Sequence, residues 1–176
     1  SNSTGSFSYT NDNQDVATIS GNTVTIHKPG TTVITATQDA SGNYDEGTIK
    51  ATLHVYAVDP TIQEWSLPEK KFGDAPFDLV PPASNSNGSF SYTNDNQDVA
   101  TVSGNTVTIH KPGTTVITAT QDASGNYDEG TIKATLHVYA VDPTIQEWSL
   151  PEKKFGDAPF DLVPPASNST GSFSYT

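Results

Sequence analysis

Short segments of alternating apolar and polar residues, separated by turn-forming residues, run along the chain. The clearest lies at 131–141, where Ile132, Ala134, Leu136 and Val138 alternate with polar or charged positions. A period of two is that of a β-strand with one face in a core. No stretch shows the apolar period of a helix. Thr and Val, whose β-branching favours extended backbone, dominate the segments. The pattern predicts an all-β protein.

About seven such segments recur between residues 59 and 141, with turn signals such as Ser-Gly-Asn at 103–105 and Lys-Pro-Gly at 111–113 between them. Short strands at this spacing are typical of a β-sandwich. The predicted strands are 61–67, 77–80, 89–93, 99–103, 106–110, 114–121 and 131–141.

A long internal repeat organises the chain. Residues 1–83 recur as 84–166 with two differences, Thr4 against Asn87 and Ile19 against Val102, and residues 167–176 repeat 1–10. The 83-residue period is too long for a solenoid unit and suits a small domain. The sequence therefore predicts tandem domains joined head to tail.

The predicted junction is the Val-Asp-Pro-Thr step at 58–61, repeated at 141–144. Proline restricts its own backbone and that of the preceding residue, which suits a short, stiff connection and marks Asp59, Pro60, Asp142 and Pro143 as junction residues. The chain is thereby divided into 1–58, the C-terminal part of one domain; 59–141, a complete domain; and 142–176, the N-terminal part of the next.

Several stretches resemble the bacterial immunoglobulin-like repeat domains found in large secreted or surface proteins. They are FGDAPFDL at 72–79, FSYTNDNQDVATVSGNTVTIHKPGTTVITATQ at 90–121, and the Asn126-Tyr127 step before the last strand. The resemblance covers essentially the whole repeat. It implies tandem immunoglobulin-like sandwiches, an extracellular or cell-surface bacterial location and a spacer or adhesive role, and it brings no catalytic residues.

Charge and composition exclude several classes of function. Twenty acidic residues against eight lysines give a net charge of −12, and this excess would repel nucleic acid. The absence of cysteine removes disulfides, thiolate metal sites and cysteine nucleophiles. No apolar run approaches the 18 to 20 residues or so of a membrane span, so this segment is not expected to insert. The absence of methionine suggests an interior piece of a longer protein.

Catalysis is not expected. A serine nucleophile needs a histidine within hydrogen-bond reach, but His27, His54, His110 and His137 fall at outward-facing strand positions. A small sandwich also offers little cleft for a pair of catalytic carboxylates. The sequence therefore predicts no enzyme activity.

One loop is a weak candidate for calcium. Asp122, Ser124, Asn126 and Asp128, followed by Glu129, place oxygen atoms at the spacing of a calcium loop. The loop departs from that motif at its sixth position, which is tyrosine rather than glycine, and at its twelfth, which is lysine rather than glutamate. The prediction is an acidic hairpin with no cofactor, with Ca²⁺ as the alternative.

Two kinds of surface residue leave alternatives open. Trp65 and its copy Trp148 are either core anchors, the favoured interpretation, or contacts between chains. The Thr-rich strands, with Thr106, Thr108, Thr115 and Thr118 expected on outer faces, could bind a ligand or glycan weakly, although strand propensity explains them.

The predicted function is mechanical. The repeats would form a segment of a long extracellular bacterial stalk or adhesin shaft that projects a distal tip, with neighbouring repeats as partners. Lysines at one pole are expected to face the acidic hairpin of the next domain and to restrain the joint. The alternative is the shaft of a multichain filament, in which identical chains associate laterally and exposed aromatic residues form the seam.

Overall fold

The structure is a computed structural model that describes residues 2–176. Its described part contains twelve β-strands and no helix. Following the division predicted from the sequence, we call residues 1–58 the first unit, 59–141 the complete unit and 142–176 the third unit. The strands of the first unit are β1 (Phe7–Asn11), β2 (Ala17–Ser20), β3 (Thr23–Ile26), β4 (Gly30–Gln38) and β5 (Gly47–Val55). Those of the complete unit are β6 (Lys70–Lys71), β7 (Phe77–Asp78), β8 (Phe90–Asn94), β9 (Ala100–Ser103), β10 (Thr106–Ile109), β11 (Gly113–Gln121) and β12 (Gly130–Tyr139).

The complete unit is a sandwich of two sheets. One sheet has the order β6-β12-β11-β8 and the other β7-β10-β9. The pairings are antiparallel except that β6 runs parallel to β12. This arrangement confirms the all-β, immunoglobulin-like fold of about seven strands that the sequence predicted.

The core lies between the two sheets. It includes Ile117 and Leu136 from the four-stranded sheet and Val107 from the other, each 0% exposed. Along β12 the apolar positions of the period-two pattern turn inward and the polar ones outward, as predicted. At the start of β11, Gly113 has φ +147°, and a Cβ there would lie 2.8 Å from Val99 Cγ2, so the sheets approach closely at this point.

The first predicted strand, 61–67, is wrong. The segment makes a single antiparallel bridge, Ile62 with Ser84, and the edge strand is instead β6, paired with Val138 and Tyr139. Pro60 and Pro68 flank the segment and have no N–H to donate, so a ladder could not continue past either end of it.

The other two units are parts of the same fold. The first unit keeps the sheets β1-β4-β5 and β2-β3 in the registers of their copies. The third unit, whose sequence corresponds to the front of the fold, has no strand and one bridge, Ile145 with Ser167.

Candidate functional site

Backbone hydrogen bonds attach the start of the predicted junction, Val58, to the acidic hairpin at 122–129. The Val58 N–H donates to the Asn126 carbonyl oxygen at 3.1 Å, and the Val58 carbonyl accepts from the Asp128 N–H at 2.9 Å. Val58 thereby forms a parallel bridge with Tyr127. The chain is therefore fastened to the hairpin two residues before Pro60.

Close packing follows immediately after this bridge. The Pro60 ring lies against the backbone of Gly130, where a Cβ would stand 2.5 Å from Pro60 Cγ and 3.1 Å from Ile62 Cδ1. Gly47, the same position one repeat earlier, has no atom within 4 Å of such a Cβ, because no Pro60 equivalent covers it. Asp59, the other predicted junction residue here, is exposed.

At the second predicted junction, Asp142 and Pro143 are both exposed. The hairpin that would correspond to 122–129 of the next repeat lies outside the 176 residues. The local turn is nevertheless the same at both junctions: the Thr144 N–H donates to Asn168 Oδ1 at 2.8 Å, as the Thr61 N–H does to Asn85 Oδ1 at 2.8 Å.

The acidic hairpin is a tight two-residue turn. Ser124 and Tyr127 exchange backbone hydrogen bonds of 3.0 and 3.1 Å around Gly125 and Asn126, with Gly125 at φ +63°. Within the described residues no group of three or more histidine, cysteine or acidic side chains is placed to hold a metal ion. Asp122, Asp128 and Glu129 are exposed, and Ser124 is half-buried. Calcium binding by this hairpin stays a prediction.

The salt-bridged lysines pair inside their own units. Lys28 Nζ lies 3.1 Å from Asp15 Oδ2, and Lys111 Nζ lies 2.9 Å from Asp98 Oδ2. The Lys111 ammonium lowers the pKa of Asp98 by hydrogen bonding and by its charge. These are the salt bridges of residues 2–176, and neither crosses the joint, which the two backbone hydrogen bonds of Val58 fasten instead.

Trp65 is half-buried against the core of the complete unit. Its indole N–H donates to the Val80 carbonyl oxygen at 2.9 Å, and its ring lies 5.8 Å from that of Tyr92. Trp148 repeats both contacts, with Val163 at 2.7 Å and Tyr175 at 5.8 Å, yet remains 44% exposed. The repeated tryptophan is therefore half-buried in one copy and exposed in the other.

The histidines stand at the surface. All four are exposed, and His27 and His110 exchange a hydrogen bond with Thr18 and Thr101 at 2.8 and 2.9 Å.

A polar cluster that the sequence analysis missed holds the loop between β8 and β9. Thr115, expected on an outer face, is 2% exposed. Its hydroxyl accepts from Asn94 Nδ2 at 3.1 Å and from the Asn96 N–H at 3.2 Å, and it donates to Asp95 Oδ1 at 3.0 Å. The hydrogen bond from the backbone N–H of Val116 lowers the pKa of Asp95 most, and the bond from the Thr115 hydroxyl lowers it further, whereas desolvation raises it. The Asn-Asp-Asn run was the available signal, since such side chains commonly bond nearby backbone.

A second missed cluster anchors the loop at 84–88. Gln121, at the end of β11, is 1% exposed, and its Nε2 donates to the carbonyl oxygens of Ser86 and Gly88, both at 3.0 Å. Its Oε1 accepts from the Ser84 hydroxyl at 2.6 Å. All three polar contacts of this amide are made inside the unit, so it holds the loop and is not available to a ligand.

Comparison with known proteins gives one family. Residues 78–132 match the family model described as bacterial Ig-like domain (group 2), which confirms the resemblance drawn from the residues. Among curated proteins, none matches the sequence.

Similar solved structures have low identity. The surface-layer protein SbsC is 18% identical, with 80% of this chain and 21% of that chain covered and a TM-score of 0.32. The chain thus spans about a fifth of that protein's length. Domains 4 and 5 of SbsC are 24% identical, with coverage of 76% and 77% and a TM-score of 0.34. Drosophila N-cadherin EC1-4 is 15% identical, with coverage of 77% and 41% and a TM-score of 0.30.

Across residues 2–176 the structure has no helix of the length and apolar character needed to cross a membrane.

Proposed function

We propose, from the premise that this chain carries bacterial Ig-like domains in tandem, that it is a structural spacer. In this proposal the units 1–58, 59–141 and 142–176 are successive parts of the shaft of an extracellular bacterial protein, and the shaft holds a distal binding or attachment tip away from the cell. The units act on no substrate. Their function is to supply length and stiffness.

The observation that carries the proposal is the attachment of Val58 to the acidic hairpin. Both the N–H and the carbonyl of Val58 are hydrogen-bonded to the next unit, and Pro60 packs on Gly130 two residues later. A flexible linker would leave its backbone to solvent and allow the domains to move independently. Here two residues, Tyr56 and Ala57, separate the end of β5 from this contact, and so short a connection favours a fixed angle between the units.

The repeat has the properties that a spacer requires. The ten residues of β12 extend roughly 33 Å at about 3.3 Å per residue, so each repeat adds at least about that length. Copies that differ at two positions carry no sign of divergent binding surfaces. Each 83-residue period has seven Asp and three Glu against four Lys, and this even negative charge keeps neighbouring shafts apart.

Stiffness at the joint can be measured with a pair of spin labels. Thr52 and Thr135 occupy the same exposed strand position in successive repeats, and the chain has no native cysteine. Labels at T52C and T135C therefore report the advance per repeat. Pulsed electron resonance is expected to give one narrow distance distribution centred near about 40 Å.

The matched perturbation is Val58→Pro, which removes the N–H that bonds Asn126, with Val141→Pro as control, because no hairpin faces Val141 in this chain. We expect the distribution to broaden in V58P and to stay narrow in V141P. A broad distribution in the unsubstituted protein, or no response to V58P, would refute the stiff joint and with it the spacer proposal.

A further inference from the structure

The less conservative of the two differences between the copies lies in a loop. Position 4 of the first copy is threonine, position 87 of the second is asparagine, and in both copies the next residue is glycine. Asn87-Gly88 is the one Asn-Gly step of the sequence. Because glycine has no side chain, the backbone nitrogen that follows the asparagine is open to the side-chain amide. The second copy therefore has a reactive pair of residues where the first copy has none.

The fold requires the glycine of this pair. A Cβ at Gly88 would overlap the carbonyl oxygen of Asp122, and one at Gly5 would overlap that of Asp39. In both copies the obstacle is backbone, which cannot turn aside as a flexible side chain can. The residue before the glycine therefore decides whether the pair is reactive.

Neither reacting group of the pair is tightly held. Asn87 is exposed, and across residues 2–176 its side chain has no hydrogen-bond partner. The Gly88 N–H donates to Ser86 Oγ at 3.3 Å, longer than the usual limit of about 3.2 Å. In the first copy, by contrast, Thr4 Oγ1 and Ser41 Oγ share a hydrogen bond of 2.9 Å. Asn87 is thus free to turn toward the nitrogen that follows it.

We propose that Asn87 is a site of spontaneous deamidation. The backbone nitrogen of Gly88 attacks Cγ of Asn87, so that an N–Cγ bond forms, the Cγ–Nδ2 bond breaks, and ammonia leaves with the Gly88 amide proton. Water then opens the resulting succinimide at either of its two carbonyls and leaves aspartate or isoaspartate at position 87. The step needs only water and does not depend on the spacer function.

The buried amide of Gln121 makes the isoaspartate product damaging. Its Nε2 donates to the carbonyl oxygens of Ser86 and Gly88, the residues on either side of Asn87, both at 3.0 Å. Aspartate leaves the backbone between these carbonyls unchanged, whereas isoaspartate adds one methylene group to it. Both bonds cannot then keep their geometry, and a buried donor that loses its partner is destabilising. Storage therefore weakens the complete unit, and the first copy, with Thr4, is spared.

The test follows the folded 176-residue protein during storage at mildly alkaline pH. Mass spectrometry of its peptides is expected to show conversion of amide to acid at Asn87 about tenfold or more faster than at Asn105 and Asn126, which corresponds to about 1.4 kcal/mol in activation free energy. These two residues are matched controls, because both are exposed but are followed by Thr106 and Tyr127. Hydroxylamine, which cleaves succinimides, should cut the folded chain once, after Asn87.

Two variants separate the reaction from its consequence. Asn87→Thr gives the loop the sequence of the first copy and should abolish both the conversion and the hydroxylamine cut. Asn87→Asp carries the new charge without the extra methylene group, so its urea midpoint should match that of fresh protein. Stored unsubstituted protein, with its isoaspartate measured by methyltransferase labelling, should unfold at a lower urea concentration.

Three results would overturn the proposal. The first is equal conversion at Asn87, Asn105 and Asn126. The second is conversion of Asn87 that occurs only when the protein is unfolded in urea, because the folded loop would then block the attack. The third is an isoaspartate-containing fraction that keeps the urea midpoint of fresh protein, because Gln121 would then not hold the loop as described.

Discussion

Replacing Thr115 by valine removes a hydroxyl group from the polar cluster that holds the loop between β8 and β9. The side chain keeps nearly the same shape, but its three hydrogen bonds, to Asn94, Asn96 and Asp95 at 3.0 to 3.2 Å, are lost. Asn94 Nδ2 keeps its second bond, to the Ala100 carbonyl at 2.8 Å, so that group stays satisfied. The Asn96 N–H loses its partner.

The size of the effect follows from these contacts. A typical hydrogen bond contributes about 0.5–1.5 kcal/mol net, and a buried donor left without a partner costs about 1–3 kcal/mol. The contributions of the three lost bonds, one of which leaves a donor unpaired, are not additive. We expect the free energy of unfolding to fall by about 2–4 kcal/mol in total. For a domain of this size that is a large share of the free energy of unfolding.

Urea unfolding followed by tryptophan fluorescence measures this change. A Trp148→Phe background leaves Trp65 as the reporter of the complete unit, since the sequence has two tryptophans. Thr118→Val is the matched control, because Thr118 lies on the same strand, is half-buried and has no side-chain hydrogen bond in the described residues. If T115V lowers the free energy of unfolding by less than about 0.5 kcal/mol, or no more than T118V does, the cluster does not stabilise the loop as described.

Four further outcomes are expected. Gly130→Ala should lower the melting temperature of the complete unit through overpacking against Pro60, at a cost of about 1–3 kcal/mol, and Gly47→Ala should not; equal calorimetric shifts would contradict this. Folding lowers the pKa of Asp95, so its contribution to stability should be full above its ordinary pKa of about 3.9 and be lost as the pH falls through the lower pKa of the folded state. The urea midpoint of Asp95→Asn should therefore depend less on pH than that of the unsubstituted protein. Parallel pH profiles for the two proteins would count against this assignment. Tyr92→Phe should leave the urea midpoint unchanged or raise it, since the Tyr92 hydroxyl is buried without a partner in the described residues, and a clear loss would show an unrecognised bond. Millimolar calcium should leave the melting temperature unchanged, and a rise would show that the folded protein binds calcium.

The strands that could be predicted are those with a strong side-chain pattern. β12 alternates without interruption from Ile132 to Val138, and the structure buries Ala134, Leu136 and Val138 and half-buries Ile132. The edge strand β6 consists of two lysines and carries no apolar pattern at all. Its position depends on parallel pairing with Val138 and Tyr139, which is a tertiary contact. Local sequence could not supply it.

The joint illustrates the same limit. The sequence predicts the connection at the Asp-Pro step, because that step is distinctive, but it did not reveal what this segment touches. The bonds of Val58 run to backbone atoms of the hairpin at 126–128, and backbone bonds between distant segments leave no mark on residue identity. Charge suggested lysines as the fastening, yet Lys28 has an acidic partner, Asp15, within its own unit. Thr115 was misplaced because threonine fits either face of a strand.

The most direct test of the spacer account is electron microscopy of the native protein on its cells. The account predicts threads one domain wide, gently curved, with a repeat of roughly 40 Å set by the length of the strands. Fibres several chains thick would contradict it and favour lateral assembly. Threads that bend sharply at every joint would contradict it as well, because the Val58 bridge would then not hold successive units at a fixed angle.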